Sequence, residues 1–173
     1  DVRQIQPDDL RRNLSIVFQN PVLFSGSIRE NLLMGAPDAT DADLLDAVKA
    51  AGADRFIGQL PGGFDFPLTE RGRELSAGMR QALAVARALI AKPSILLLDE
   101  PTASLDAGTE QALVQSLDEA TKGITTIFVT HRGSMLQMAD RILVVEGGRI
   151  VANGPRDEVL GKLQGPAQAQ PTQ

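Results

Sequence analysis

The sequence predicts an α/β fold with a mostly parallel sheet and flanking helices, and three observations carry that prediction. The first is Ile95-Leu96-Leu97-Leu98, an apolar run between Pro93 and Pro101 that ends abruptly in two adjacent carboxylates, Asp99 and Glu100. A short and wholly apolar run suits a strand buried on both faces of a parallel sheet. The second is the pattern after Pro93, where strand signals at 95–98, 124–130, 141–145 and 149–152 alternate with helical signals at about 108–120 and near 134–139. The third is a helical block from Ser27 to about Ala91. Within it Leu44, Leu45, Val48 and Ala51, and later Met79, Leu83, Ala86 and Ile90, recur at helical spacing.

In chain order, Asp1-Val2-Arg3-Gln4-Ile5 alternates polar and apolar residues like the end of a strand. With no initiating methionine, it reads as a start inside a longer protein. Leu14 to Phe18 reads as a strand that Gln19-Asn20-Pro21 stops. Ser27 and Asp41 are the expected helix N-caps. Pro61-Gly62-Gly63-Phe64 interrupts the helical block, and the charged stretch Thr69 to Glu74 reads as a loop before a helix capped by Ser76. Gly147-Gly148 marks a hairpin, and Asp157 to Leu163 a final short helix. The tail from residue 163 or 164 onward has too little apolar content to pack and is expected to be disordered. No internal repeat is present.

Composition bounds the function. The chain has 173 residues and 43% hydrophobic content, enough to bury one ordinary core. Net charge is −5, which argues against general nucleic-acid binding through phosphate neutralisation. The absence of cysteine excludes disulfide and thiol chemistry. No apolar stretch approaches the roughly 20 residues of a membrane-spanning helix.

Taken singly, each candidate residue has an ordinary structural explanation. Asp99 and Glu100 could be an acidic turn after a core strand, although ligands of open α/β sheets bind at the carboxyl ends of strands, where this pair sits. Gln19 after a strand could be a surface residue. His131, the single histidine, follows the apolar strand at 126–129 and could be a structural hydrogen-bonder. Ser76, with the free N–H groups of Ala77 and Gly78, could be no more than a capped helix start, though such an end also attracts anions. Asp106 could be an N-cap before Ala107.

Together and in order, these residues resemble ABC ATPase domains. The resemblance rests on Gln19 after a strand, Leu75-Ser76-Ala77-Gly78-Met79-Arg80-Gln81 opening a helix, Leu96-Leu97-Leu98-Asp99-Glu100-Pro101, Ala103-Ser104-Leu105-Asp106 and Val129-Thr130-His131, and it spans about residues 1–162. The segment Pro21 to Asn31, with Thr69-Glu70-Arg71-Gly72, resembles the exporter branch and within it type I secretion ATPase/permeases. The resemblance implies a partial P-loop NTPase-like core at 1–26 and 92–162, with an inserted helical subdomain at about 27–91. It implies ATP and Mg²⁺ as cofactors, with Asp99 and Gln19 at the metal and Glu100 as the general base. His131 would then be the switch histidine that bonds the γ-phosphate. Ser76, Ala77, Gly78 and Asp106 would meet nucleotide across a head-to-tail pair of ATPase domains, docked to transmembrane domains at the cytoplasmic face of the inner membrane.

Two departures and one gap stand against that pattern. The family's usual Leu-Ser-Gly-Gly-Gln is here Leu-Ser-Ala-Gly-Met, so Ala77 adds a methyl that disfavours positive φ and Met79 removes a polar side chain. Ser76 and Gly78 remain, so a working signature contact is expected, with weakening by Ala77 and Met79 left open. No Gly-x-x-x-x-Gly-Lys-Ser/Thr occurs, and there is no Trp or Tyr to stack on adenine. N-terminal truncation explains this most simply, and the isolated piece is expected to be inactive. A soluble ABC ATPase of DNA repair or translation, or a non-enzymatic remnant of the fold, are the other classes.

Overall fold

The computed structural model describes residues 2–164, which form two compact units, one ending at Arg132 and one beginning at Gly133. The first unit opens with a 3-10 turn at Val2–Gln4 and helix α1 (Pro7–Asn13), where strand-like alternation predicted an extended segment. Pro7 decides the difference: its fixed φ suits the first helical position, and Asp8 and Asp9 complement the helix dipole in the first turn. Strand β1 (Leu14–Val17) follows as expected.

The predicted helical block is mostly helical but carries a small antiparallel pair. Strand β2 (Gly26–Ser27) leads into α2 (Ile28–Leu33), α3 (Asp41–Ala50) and α4 (Asp54–Ile57), and pairs with β3 (Pro67–Leu68). Ser27 caps α2 as predicted, in a reciprocal box with Glu30. The cap of α3 is Thr40 and not Asp41. Thr40 accepts from the Asp43 N–H, and the Asp43 carboxylate accepts from the Thr40 N–H at 3.0 Å, which leaves Asp41 as the first helical residue. Leu44, Val48 and Ala51 are buried as their spacing predicted, whereas Leu45 faces solvent.

Helix α5 (Ala77–Leu89) then packs on a parallel sheet that β4 (Ile95–Asp99) and β5 (Thr125–Val129) complete, with helix α6 (Ala107–Ala120) linking these two strands. The sheet order is β1-β4-β5 and all pairs are parallel, with Val17 beside Leu98 and Asp99 beside Val129. Leu96 and Leu98 are buried beneath the helices, with Val85, Leu83 and Leu117 in the same core.

Burial of β4 on both faces is not what these residues achieve. Ile95 and Leu97 point to the opposite side of the pleat and remain half-exposed. On that side Ile16 is 45%, Phe18 60%, Ile127 57% and Val129 61% exposed. Among the described residues, helices cover one side of the parallel sheet only.

The second unit holds α7 (Gly133–Leu136), a hairpin of β6 (Arg141–Glu146) and β7 (Arg149–Pro155), and α8 (Arg156–Gln164). Gly147 and Gly148 both take positive φ in the turn, as the hairpin signal requires. Residues 163 and 164 close α8 instead of starting a tail; the remainder of the expected disordered tail lies outside the described residues. No helix among the described residues is long and apolar enough to cross a membrane.

Candidate active site

All candidate residues fall in the first unit; Gln19, Asp99, Glu100 and His131 stand at or just beyond the carboxyl ends of β1, β4 and β5, whereas Ser76–Gly78 and Asp106 stand at the starts of α5 and α6. Asp99 is the last residue of β4 and is exposed. Glu100 follows with φ 46°, a left-handed conformation that costs a residue with a side chain about 1 kcal/mol. Its backbone N–H donates to the Val129 carbonyl at 2.9 Å, which extends the β4–β5 ladder by one bond and holds the strained residue in place.

The Glu100 carboxylate meets His131. Glu100 Oε1 lies 2.8 Å from His131 Nδ1, a pairing of two strand ends that are adjacent in the sheet and 31 residues apart in sequence. The Glu100 side chain is 20% exposed and that of His131 68%, so the imidazole remains open to a ligand. Glu100 Oε2 is buried and has no hydrogen-bond partner. A buried carboxylate oxygen without a donor is costly unless a water or substrate supplies one.

Arg132, next in the chain, anchors this corner. Its guanidinium donates to Glu110 of α6 at 3.0 Å and to the carbonyl of Ala103 at 2.9 Å. The segment 103–106 and the His131 loop are therefore tied through one side chain, a role that nothing in the local sequence signals.

Gln19 comes off the end of β1, beside the end of β4. Its loop is pinned at several points. Asn31, buried, donates to the carbonyls of Phe24 and Ser27 and accepts from the Phe24 N–H at 2.8 Å. Arg87 of α5 donates to the Val22 carbonyl at 2.9 Å and lies over the Phe24 ring, and burial lowers its pKa. Leu23 is buried against Gly72, where a Cβ would stand 2.9 Å from Leu23 Cδ1 and φ is +58°. Only glycine suits that position.

Ser76 caps α5, its hydroxyl accepting from the Met79 N–H at 3.2 Å. Ala77 is an ordinary first-turn residue and is absent from the positive-φ positions, so its methyl introduces no backbone strain. Gly78 is the position without room, because a Cβ there would lie 2.5 Å from Thr109 Cγ2. Ser76 and Gly78 border a cavity of about 260 Å³ with Met79, Arg55 and Phe56, a cavity that neither Glu100 nor His131 lines. The single chain therefore pairs Glu100 with His131 but does not add the Ser76–Gly78 corner to them.

Asp106 caps α6, accepting from the N–H groups of Gly108 and Thr109 at 3.1 and 3.0 Å. The Thr109 hydroxyl bond, at 2.7 Å, and then the backbone donors hold its pKa below the ordinary carboxylate value. A lowered folded-state pKa contributes stability above the unfolded pKa, and that contribution is lost as pH falls through the folded value. In Asp106→Asn, unfolding measured against pH is expected to show a shallower loss of stability in the acid range than in the unsubstituted chain.

No group of three or more His, Cys, Asp or Glu side chains among the described residues could form a metal cage. A single exposed carboxylate at a strand end, as at Asp99, instead fits Mg²⁺. That ion takes one or two protein carboxylates and fills its octahedron with water and phosphate oxygens.

The family model described as ABC transporter matches residues 1–103. The chain belongs to the ABC transporter family. It is 48% identical over 162 residues to the beta-(1→2)glucan export ATP-binding/permease protein NdvA of Rhodopseudomonas palustris, covering 94% of this chain and 27% of that protein. ABC transporter B family member 18 of Arabidopsis thaliana is 44% identical over 164 residues, 95% of this chain and 13% of its own length. Among solved structures, a bacterial Atm1-family ABC exporter with ATP bound aligns with a TM-score of 0.85 and 38% identity, covering 94% of this chain and 28% of that one. This ABC chain thus spans about a quarter or less of these relatives, and the α/β fold read from its sequence is the ABC ATPase fold.

Proposed function

We propose that this chain is the latter part of the ATP-binding and ATP-hydrolysing domain of an ABC exporter, and that it powers export across the inner membrane from the cytoplasmic face. The observation that carries the reading is the Glu100–His131 pair, at 2.8 Å, beside Asp99 at the carboxyl edge of the sheet. The relatives named above include a glucan exporter and an exporter of the Atm1 family. They favour export generally over the narrower reading of protein secretion.

The residues divide the work. Asp99, with the Gln19 amide, would hold Mg²⁺, whose chemistry there is to neutralise charge on the nucleotide's phosphate oxygens. Glu100 accepts the proton of the attacking water at Oε2, the carboxylate oxygen that has no partner within the chain. His131 donates from Nδ1 to Glu100 when that nitrogen is protonated, which leaves Nε2 toward the phosphate. Nε2, on the exposed side of the ring, would face a γ-phosphate oxygen. A phosphate-loop segment outside these residues would cover the exposed side of the sheet and hold the β-phosphate. The helical stretch 27–91 serves as the inserted subdomain between core segments 1–26 and 92–162.

The Ser76–Gly78 helix start and Asp106 act on nucleotide held by a second ATPase domain in a head-to-tail pair, and the transmembrane domains of the same transporter complete the assembly. Their separation from Glu100 and His131 within one chain supports this division. The test is Ser76→Arg in the parent transporter. A long cation at the cap is expected to lower ATP turnover at least tenfold while leaving the monomer folded. Unchanged turnover would remove the signature contact from the mechanism.

A further inference from the structure

His131 stands on the loop that leaves β5, with 68% of its side chain exposed. The hydrogen bond to Glu100 at 2.8 Å fixes one ring nitrogen, but one bond settles neither the tilt of the ring nor the place of its backbone. Where the imidazole stands therefore depends on what holds the chain on either side of it. The Arg132 N–H donates to the Thr130 hydroxyl at 3.0 Å, which closes the loop over His131. The Arg132 side chain then leaves the loop, with Nη1 donating to Glu110 Oε2 at 3.0 Å and Nη2 to the Ala103 carbonyl at 2.9 Å.

These bonds make a closed circuit around the Glu100–His131 pair. The turn Glu100–Ala103 is closed by the Ala103 N–H, which donates to the Glu100 carbonyl at 3.1 Å. Arg132 thus grips the turn that begins at Glu100 and, through one peptide bond, the residue that Glu100 meets. The circuit runs from the Glu100 carboxylate to His131, along the chain to Arg132, across to Ala103 and back to Glu100. Glu110 supplies a fixed point on α6. Its side chain is 10% exposed and that of Arg132 35%, so the pair is shielded from the screening that weakens exposed ion pairs. A guanidinium suits this place because its planar fork reaches acceptors on two separate elements at once, whereas an ammonium is a point charge on a flexible stem.

We infer that Arg132 is a positioning residue for ATP hydrolysis, acting through His131 by setting the distance and angle between the imidazole and the Glu100 carboxylate. The inference rests on the roles given above to Glu100 and His131, and adds to them a residue whose guanidinium bonds the chain itself. Chemistry that depends on alignment is sensitive to such a residue, since a displacement of about 1 Å costs on the order of a hundredfold in rate.

The test is a double-mutant cycle on ATP turnover by the parent transporter. Arg132→Lys is expected to lower kcat roughly ten- to hundredfold with KM for ATP changed less than about twofold, because the residues assigned to nucleotide are untouched. In the His131→Ala background the same substitution should change kcat less than about threefold, since the ring that Arg132 positions is gone. A merely structural role would lower kcat equally in both backgrounds, and that result overturns the inference. So does turnover of Arg132→Lys within about threefold of the unsubstituted protein, or a loss confined to KM. Arg132→Gln combined with Glu110→Gln guards against misfolding, because it removes both charges together and leaves neither buried and unpaired. That variant is expected to fold and to show the same loss of kcat, and full turnover in it also overturns the inference. Unimpaired turnover in His131→Ala would remove the role of His131 and the inference with it. A large loss in His131→Ala beside an unaffected Arg132→Lys would overturn the inference alone.

Discussion

Glu100→Gln in the parent transporter is expected to reduce ATP turnover by about 10²- to 10⁴-fold, the range typical of losing a positioned general base. The substitution preserves the shape of the side chain. The Glu100 N–H bond to Val129 involves only backbone and is retained, so the turn at φ 46° stays in place. Glutamine can still offer an oxygen to His131 Nδ1, which keeps the imidazole oriented. What it cannot do is accept a proton at the buried position occupied by Oε2. The loss should therefore appear in kcat with KM for ATP little changed, because the missing interaction belongs to the transition state. Steady-state kinetics on the purified transporter decide the point, and turnover within about threefold of the unsubstituted protein would require another base.

The second large effect is on stability. In Gly35→Ala the new Cβ would stand 2.2 Å from the Arg87 carbonyl oxygen and 3.0 Å from Ile90 Cγ2. The nearest atom is helix backbone, which cannot rotate aside as a side chain would. The end of α2 would have to move away from α5, uncovering Leu32 and Ile28, both wholly buried. Overpacking of this kind costs about 3 kcal/mol or more when backbone must shift. Arg87 also holds the Val22 carbonyl, so the displacement would reach the loop that carries Gln19. Denaturant unfolding of the variant should show a lower midpoint, and a change below about 0.5 kcal/mol would mean that α2 and α5 pack less tightly than described.

Particular residues show why some elements were legible in the sequence and others were not. The strand at Ile95 and the caps at Ser27, Ser76 and Asp106 are local matters, settled by apolar content and by a hydroxyl or carboxylate two or three residues from the N–H it accepts. Thr40 was missed because Asp41 beside it is an equally good capping type, and only the reciprocal bond with Asp43 distinguishes them. The alternation at residues 1–5 was a weak periodic signal, and Pro7 outweighed it. Burial of β4 on both faces was inferred from an apolar run, yet one side of the sheet has no helical layer among the described residues.

The sequence by itself determined the α/β class, the order of the motifs and the residue types of the proposed site, because each depends on neighbours a few positions away. Tertiary structure decided what those residues can do. It alone joined Glu100 to His131 across a parallel strand pair and tied the His131 loop to Ala103 through Arg132. Such contacts link positions far apart in the chain, and no local pattern encodes them. The physical cause is the sheet, which sets the ends of β1, β4 and β5 side by side.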